Sequence, residues 1–239
     1  KAADILDRVD PDRGRDLCIG TVDSWVAWTL TERSLHVTDP TNAALTGLRN
    51  RAADDWDDDL LARLRLDRAS LPTVVGSSGA VGEATALPGS PPICGIAGDQ
   101  QASLVGQGCF APGQAKATFG TGGMLDMCVG PDRPTFATRG GNGCFPVVTF
   151  DGDGASWGVE AAMLSAGTNI DWLRDDLGLI DDAAEVDAVA AGCEDTGGVA
   201  YVPALLGLGA PRWDYGARGT LLDISRGAGR AQVVRAVLE

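Results

Sequence analysis

The spacing of apolar residues predicts helices in four parts of the chain. Residues 2–9 and 231–238 each carry an apolar stripe; no capping residue precedes the first, and no glycine or other stop signal follows the second. Segments 23–30 and 57–66 also have helical character and begin with acidic residues, which are favourable near the positive end of the helix dipole. Because the outer stripes run to both ends, we expect the chain to be a fragment of a longer protein.

Shorter apolar runs between these helices predict strands. Residues 73–84 indicate a strand and a turn, and residues 84–92, rich in Pro, Gly and Ser, indicate a surface loop. A buried strand over 93–97 then leads to Asp99, and a helix follows over 100–105. A carboxylate therefore stands at the end of an otherwise apolar segment.

The pattern changes after residue 110. Two short β-segments over 114–130 meet at GTGG (120–123), which predicts a hairpin turn whose glycines tolerate positive φ. Residues 155–179 predict a strand that passes into a long helix over 159–177, and residues 198–213 predict a buried strand followed by a Gly/Pro loop. Interleaved strands and helices are typical of the α/β class. We expect two lobes, divided near residues 108–114.

Charge excludes two classes of partner. The 239 residues carry a formal net charge of −14. Binding of nucleic acid or of an anionic membrane needs clustered Lys and Arg. We therefore expect neither a nucleic-acid partner nor a membrane partner.

The cysteines indicate a reducing compartment. The chain has 6 cysteines and no CxxC pair, and several of them stand in apolar runs, so we interpret them as reduced core residues rather than a disulfide or zinc framework. No signal segment opens the chain, and no run of about 18 apolar residues occurs. These features predict a cytoplasmic protein and no metal-ligating residues in this segment.

One histidine and two missing motifs narrow the candidate chemistry. His36 is the single histidine, so a Ser-His-Asp triad or an HExxH zinc site would depend on it, and we interpret it as structural.

Neither G-x-x-x-x-G-K-[ST] nor a G-x-G-x-x-G after a strand occurs. GTGG (120–123) is a candidate phosphate cradle, since its backbone N–H groups and the Thr121 hydroxyl can donate to phosphate oxygens. A plain hairpin turn is the alternative.

Asp99 allows two interpretations. As a helix N-cap, its carboxylate would accept hydrogen bonds from the N–H of Gln101 or Ala102, which is worth about 1 kcal/mol. As a functional carboxylate, it would orient or deprotonate a ligand hydroxyl, and the strand ends of α/β folds are suited to that role. One residue could fill both roles.

Six segments, in their order along the chain, resemble the FGGY carbohydrate kinase family and, within it, the glycerol kinases. The resemblance covers almost the whole chain, and the GDQQ form at 98–101 is more similar to glycerol kinases than to xylulose kinases. The segments are GTVDSWVAWTLT (20–31), HVTDPTNAALT (36–46), GIAGDQQASLVGQG (95–108), KATFGTGGML (116–125), VEAAMLSAGTNIDWLRDDLGLI (159–180) and VAYVPALLGLGAPRWDYGARG (199–219).

The resemblance implies an actin-like ATPase fold with two ribonuclease-H-like lobes and a cleft between them. Residues 1–110 would be the latter part of the N-terminal lobe, and residues 111–239 the first part of the C-terminal lobe. The implied activity is ATP-dependent phosphorylation of a polyol hydroxyl, glycerol to glycerol 3-phosphate, with Mg²⁺ as cofactor.

The resemblance also implies roles for individual residues. Asp99 matches the family's catalytic base and a polyol-binding position, and Gln100 and Met124 match two further polyol-binding positions. The nucleotide-binding positions of the family fall on five residues: Gly120, Thr121, Gly122, Gly167 and Asp171.

Three residues depart from the family pattern. Met124 stands where an aromatic side chain usually covers the carbon face of glycerol, Asp171 where glutamine is common, and Asp223 where a glycine is found. Family segments that hold other parts of the polyol, phosphate and adenine sites fall outside this chain, so we expect the chain alone to be inactive or nearly so. Two alternatives stay open: a kinase for another sugar or sugar alcohol such as xylulose or ribulose, and a non-catalytic actin-like nucleotide-binding module. The sequence is compatible with a homo-oligomer.

Overall fold

The computed structural model describes residues 1–50, 55–136, 139–152 and 154–239. Helices and strands are mixed along these ranges, in agreement with the expected α/β class. No helix in them is long and apolar enough to cross a membrane. The helices are α1 (Ala2–Val9), α2 (Val22–Leu30), α3 (Pro40–Leu45), α4 (Asp58–Leu64), α5 (Asp99–Gly106), α6 (Gly167–Asp175), α7 (Val186–Ala190) and α8 (Arg230–Leu238). The strands are β1 (Val37–Thr38), β2 (Thr73–Val74), β3 (Ser78–Glu83), β4 (Pro92–Gly95), β5 (Ala115–Phe119), β6 (Gly123–Gly130), β7 (Phe145–Asp151), β8 (Ala155–Met163), β9 (Ala200–Val202) and β10 (Thr220–Leu222).

The chain divides into two compact units that are not contiguous in sequence. The first comprises Lys1–Gln114, Cys128–Pro134 and Val147–Gly158. The second comprises Ala115–Met127, Thr135–Pro146 and Val159–Glu239. Asp99 therefore belongs to the first unit, and the glycine turn at 120–123 belongs to the second.

Helices pack around a small apolar core in the first unit. β1 pairs with β2 in parallel, and β3 pairs with β4 antiparallel. Aspartates fix two helix starts, because Asp39 accepts the Asn42 N–H at 3.1 Å and Asp57 accepts the Leu60 N–H at 2.9 Å. The core consists of Leu6, Ala43, Leu48, Trp56, Leu61, Leu66 and Leu71.

A four-stranded sheet, with the order β5-β6-β8-β7, carries the glycine turn. β5 and β6 form the hairpin that the sequence predicts, and Phe119 pairs with Gly123 at its closed end. β9 pairs antiparallel with β10. In the second unit, Leu173 of α6 packs in a buried cluster with Ile180, Ala190 and Val234. This cluster holds α6, which supports the turn.

The long helix expected over 159–177 is wrong in its first part and confirmed over Gly167–Asp175. β8 continues to Met163, and α6 begins at Gly167. The segment contains Glu, Ala and Met, which are good helix formers, but β8 lies between β6 and β7 in the sheet. Tertiary pairing thus outweighs local propensity here.

Two strand expectations also need correction. The strand expected over 93–97 spans Pro92–Gly95, and its Cys94 is exposed rather than buried. The strand expected near 199 is β9, which has three residues and is only partly covered. β7 and β10 were not predicted.

The cysteines are free thiols, as expected. None of the six forms a disulfide bond. The expectation that they are core residues is wrong for Cys18 and Cys94, which are exposed, and is met in full by Cys128, which is buried.

Candidate functional site

Asp99 is the first residue of α5 and its side chain is exposed. The N-cap of the helix is Gly98, whose carbonyl accepts the Ala102 N–H at 2.7 Å. The capping role considered for Asp99 is therefore wrong. Its Oδ1 accepts the N–H of Gln100 at 2.8 Å, and Oδ2 has no donor among the described residues. One carboxylate oxygen thus stays available to a ligand.

A buried hydrogen-bond chain fixes the backbone just before Asp99. The Gly98 N–H donates to Thr41 Oγ1 at 2.8 Å, and the Thr41 hydroxyl donates to Asp39 Oδ1 at 2.8 Å. Asp39 is 0% exposed and also accepts the Ser77 hydroxyl at 2.6 Å. Because every link is buried, the start of α5 is held in one position.

Glycine at position 98 allows close packing against Gln101. A Cβ there would lie 2.5 Å from Oε1 of Gln101, a side chain only 3% exposed. A larger residue would therefore require the amide end of Gln101 to move.

Asp99 lines a cavity of about 810 Å³ in the first unit. The walls come from α2, α3 and the segment around β4, with apolar contributions such as Val26, Leu45 and Ile96. Asp23, a second carboxylate of the cavity that sequence reasoning missed, is already occupied: Thr21 donates to one oxygen and Thr38 donates to the other at 2.6 Å. Asp99 also lines this space of ligand size and differs from Asp23 in having one carboxylate oxygen without a donor among the described residues.

The glycines of the turn at 120–123 are required by close packing of the backbone against β8, not by backbone dihedral angles that only glycine adopts. None of Gly120, Gly122 and Gly123 has a φ in the left-handed region, contrary to the expectation from sequence. A Cβ on Gly122 would instead lie 2.7 Å from the Met163 carbonyl oxygen. Glycine therefore lets the turn lie directly against the end of β8.

N–H groups at the start of α6 donate hydrogen bonds to carbonyl groups of the turn. The Gly167 N–H donates to Gly120 O at 2.7 Å, and the Ala166 N–H donates to Thr121 O at 3.0 Å. In the described ranges, the N–H groups of Thr121 and Gly122 donate to no backbone oxygen. The carbonyl groups of Gly120 and Thr121 are thus hydrogen-bonded, whereas the N–H groups of Thr121 and Gly122 are available to bind an anion.

Two of the remaining predicted site residues, Met124 and Asp171, lie in the second unit with this turn. Met124 follows the turn on β6, opposite Thr118, and is half-buried. Asp171 lies one helical turn after Gly167, and its carboxylate pairs with Arg174 at 3.0 Å. This pairing partly compensates the negative charge that Asp171 would place near a nucleotide. Gln100, in the first unit, is half-buried in the first turn of α5.

His36 is half-buried and contacts the Trp28 ring edge-on, with 6.1 Å between the ring centroids. Burial lowers its pKa, and a hydrogen bond with the Ile19 backbone opposes that shift. These contacts support a structural role.

Sequence reasoning missed three ionisable residues in the sheet below the turn. Lys116 on β5 pairs with Asp126 on β6 at 2.9 Å, and the two side chains are 0% and 4% exposed. Glu160 on β8 faces the same pair, and burial and then the charge of Asp126 raise its pKa to about 7. The signal was present, since each residue interrupts an apolar strand.

Two family profiles match consecutive parts of the chain. Residues 4–106 match the N-terminal domain of the FGGY family of carbohydrate kinases, and residues 115–239 match its C-terminal domain.

Curated relatives support the same family. The glycerol kinase of Shewanella amazonensis is 44% identical over 98% of this chain, and that of Aromatoleum aromaticum is 46% identical over 100% of it. The chain spans 48% and 49% of the lengths of these two relatives, respectively.

Solved structures show the fold. Glycerol kinase from Plasmodium falciparum with ADP is 30% identical and superposes with a TM-score of 0.86, covering 99% of this chain and 48% of that chain. Xylulose kinase from Lactobacillus acidophilus covers the same shares with a TM-score of 0.80 at 21% identity, which is evidence for the fold alone. The chain thus has the actin-like ATPase fold, and with matches to both family domains it belongs to the FGGY family of carbohydrate kinases.

Proposed function

We propose that the full-length protein carrying this chain transfers the γ-phosphoryl group of ATP to a hydroxyl of glycerol, giving glycerol 3-phosphate. The observation that carries the proposal is the free Oδ2 of Asp99 on the wall of a cavity of about 810 Å³. The identity of 44% to a glycerol kinase over 98% of the chain favours glycerol as the acceptor.

Asp99 acts as the general base in this proposal. The acceptor hydroxyl loses its proton as it attacks the γ-phosphorus, and a positioned carboxylate that takes the proton is worth a factor of about 10² to 10⁴ in rate. Oδ2 is the oxygen available for this step, because Oδ1 already accepts the N–H of Gln100. The side chain of Gln100 can both donate and accept, which suits a second hydroxyl of the polyol.

The glycine turn binds the nucleotide phosphates. The free N–H groups of Thr121 and Gly122 and the Thr121 hydroxyl are the donors, while Gly120 and Gly167 keep the turn in place through their mutual hydrogen bond. Asp171 contacts the nucleotide from α6, with its charge reduced by Arg174.

The described residues contain no group of three or more His, Cys, Asp or Glu side chains placed to hold a metal ion. A magnesium ion would therefore be held mainly by phosphate oxygens and water, as is common for nucleotide kinases. When bound, it neutralises phosphate charge. This chain contributes the N–H groups of Thr121 and Gly122 to phosphate binding and the carboxylate of Asp99 as the base.

Met124 covers the carbon face of the polyol. It is half-buried on β6 directly after the turn. A methionine is apolar but more flexible than an aromatic ring, so this contact is looser and admits a wider range of acceptors. This substitution is the feature that favours the second candidate, a kinase of another sugar or sugar alcohol such as xylulose or ribulose.

The lobe assignment is part of the proposal. Residues 1–110 form the latter part of the N-terminal lobe and residues 111–239 the first part of the C-terminal lobe. The family profiles, which end at 106 and resume at 115, support this division. The free cysteines and the net charge of −14 support a cytoplasmic protein without nucleic-acid partners.

An acceptor panel tests the proposal. ADP release from Mg-ATP by the full-length protein is measured with glycerol, xylulose, ribulose and erythritol, each over a range of concentrations. We expect the highest kcat/KM with glycerol. Turnover with a ketose alone would replace glycerol by that acceptor, and binding of Mg-ADP without turnover on any acceptor would favour a non-catalytic nucleotide-binding module.

A further inference from the structure

The position of the glycine turn depends on the first residues of α6. Ala166 and Gly167 donate their backbone N–H groups to carbonyl oxygens of the turn at 3.0 and 2.7 Å, and the Thr168 hydroxyl adds a third bond at 3.2 Å. Ala166 is the N-cap of the helix, and no side chain caps the helix there. Because alanine has no polar group with which to cap a helix, this segment needs support from other side chains.

The side chain of Asn169 supplies support from the first turn of α6. Asn169 is 6% exposed, and its Nδ2 donates to the carbonyl oxygen of Ser165 at 3.2 Å. Ser165 directly precedes Ala166, and its own buried hydroxyl has no hydrogen-bond partner among the described residues. The Asn169 amide therefore provides the side-chain hydrogen bond that holds Ser165.

Tyr201 orients the same amide. Its hydroxyl donates to Asn169 Oδ1 at 3.1 Å, so both ends of the amide are occupied. If the amide were turned over, its oxygen would face the Ser165 carbonyl, and two acceptors would oppose each other. The tyrosine hydroxyl therefore favours the orientation of Asn169 that holds Ser165.

Two elements hold Tyr201 itself. It lies on β9, where it pairs with Leu221 of β10. Its ring stacks on the ring of Trp172, with 5.8 Å between the centroids and 14° between the planes. Trp172 follows Asn169 by three residues along α6, so its ring and the amide lie on the same side of the helix. These contacts keep the tyrosine hydroxyl within reach of the amide.

We propose that Tyr201 and Asn169 are positioning residues for the glycine turn and, through the turn, for nucleotide binding. The Tyr201 hydroxyl orients the Asn169 amide, the amide holds Ser165, and Ser165 places the N–H groups of the next two residues against the turn. Both residues act through the turn and not by contact with the nucleotide. The proposal rests on the nucleotide role of the turn given above.

Loss of the Tyr201 hydroxyl has a defined local consequence. Tyr201→Phe keeps the ring on Trp172 but leaves Asn169 Oδ1 without its donor in a buried position. The amide then lacks a preferred orientation, and the start of α6 is less well fixed. Since the turn must then be ordered when phosphate binds, nucleotide affinity falls.

The test is the dissociation constant of Mg-ADP for the full-length protein. Calorimetry measures it at a temperature at which circular dichroism shows the variants to be folded. The variants are Tyr201→Phe, Asn169→Ala and the double substitution. Tyr215→Phe is the matched control, because it also removes one phenolic hydroxyl, but from a residue that is 55% exposed.

We expect Tyr201→Phe to weaken Mg-ADP binding by about fivefold, which is the low end of ordinary coupling between sites. Asn169→Ala should weaken binding at least as much. Adding Tyr201→Phe to Asn169→Ala should cause no further loss, because the hydroxyl acts through the amide. Tyr215→Phe should bind Mg-ADP as the wild type does.

A merely structural role would lower the midpoint of urea unfolding and leave the dissociation constant of the folded protein unchanged. Wild-type affinity in Tyr201→Phe, an equal loss in Tyr215→Phe, or additive losses in the double variant would overturn the positioning role while the proposed function stands. If Asn169→Ala does not fold, the comparison of the two tyrosine variants decides alone. If the wild type binds no Mg-ADP, the role of the turn is wrong and the positioning role falls with it.

Discussion

The backbone N–H of Gly167 donates to the carbonyl oxygen of Gly120 at 2.7 Å, which ties the first residue of α6 to the glycine turn. The N-terminal amides of a helix can bind an anion directly. Here Ala166 and Gly167 instead bind carbonyls of the turn, so the turn presents its own amides. In the phosphate site we propose, α6 therefore orients the turn at 120–123, and the turn rather than the helix binds the phosphate.

This contact makes Gly167 a sensitive position. A Cβ on Gly167 would lie 2.7 Å from Gly120 O, a backbone atom that cannot move without shifting the turn. We expect Gly167→Ala to cost at least about 1 kcal/mol in the free energy of unfolding, although Gly→Ala inside a helix ordinarily stabilises by about 0.5 to 1 kcal/mol. Urea unfolding followed by tryptophan fluorescence measures the change.

Gly106→Ala is the matched control for this substitution. Gly106 also lies in a helix, α5, and a Cβ there would meet nothing within 4 Å. We expect it to be neutral or stabilising. If the two variants unfold at the same urea concentration, the contact between α6 and the turn does not carry the stability assigned to it.

The sequence pattern predicted correctly those elements that depend only on residues close to one another along the chain. The apolar stripe of 2–9 became α1, and the two β-segments around GTGG became the β5–β6 hairpin. The first part of the helix expected over 159–177 failed because β8 continues to Met163, and its strand character depends on its neighbours β6 and β7, which no local window contains. Sheet partners are set by tertiary pairing, so central strands with helix-forming residues are hard to recognise.

The candidate site was predictable in part. A carboxylate after an apolar strand and a glycine turn were visible as residues, but the chain Asp39–Thr41–Gly98 joins segments far apart in sequence and had no local signal. Asp223 is a different case. The resemblance leads us to expect a glycine at this position, and the φ of 56° at Asp223 is in the left-handed region, which Asp tolerates better than most residues.

The Thr41 hydroxyl holds Gly98, and through it Asp99, in place. Thr41→Val keeps the shape of the side chain but leaves the Gly98 N–H without its acceptor. We expect a loss of about 1 to 3 kcal/mol in the free energy of unfolding and a lower kcat with little change in KM for ATP. Thr29→Val, at an exposed residue of α2, should change neither quantity. Equal effects of the two substitutions would contradict the positioning role.

The Lys116–Asp126 pair should be far more important for stability than an exposed ion pair. Lys116→Met leaves the buried carboxylate of Asp126 without its counter-charge, which we expect to cost about 3 to 5 kcal/mol. Arg8 pairs with Asp4 at 3.0 Å with side chains 75% and 64% exposed, and Arg8→Met should cost less than about 0.5 kcal/mol. Urea unfolding of both variants at pH 6 provides the comparison, and similar midpoints would refute the assignment.

Asp171 tests the electrostatics of the nucleotide site. Its side chain is 56% exposed and pairs with Arg174, so screening by solvent limits its effect. We expect Asp171→Asn to tighten Mg-ADP binding by less than about fivefold, with a smaller gain at 0.5 M salt. Asp175→Asn, which also loses a partner of Arg174, serves as the control. Weaker binding by Asp171→Asn alone would show that its carboxylate is a favourable contact.

The most direct test of the account is the turnover of Asp99→Asn in the full-length protein. Asparagine keeps the size of the side chain and cannot take the proton of the acceptor hydroxyl. We predict that kcat with glycerol falls by a factor of about 10² to 10⁴, while the dissociation constant of Mg-ADP stays within about twofold of the wild-type value because the phosphate turn is unchanged. A variant that turns over glycerol at the wild-type rate would contradict the role of Asp99 as the base.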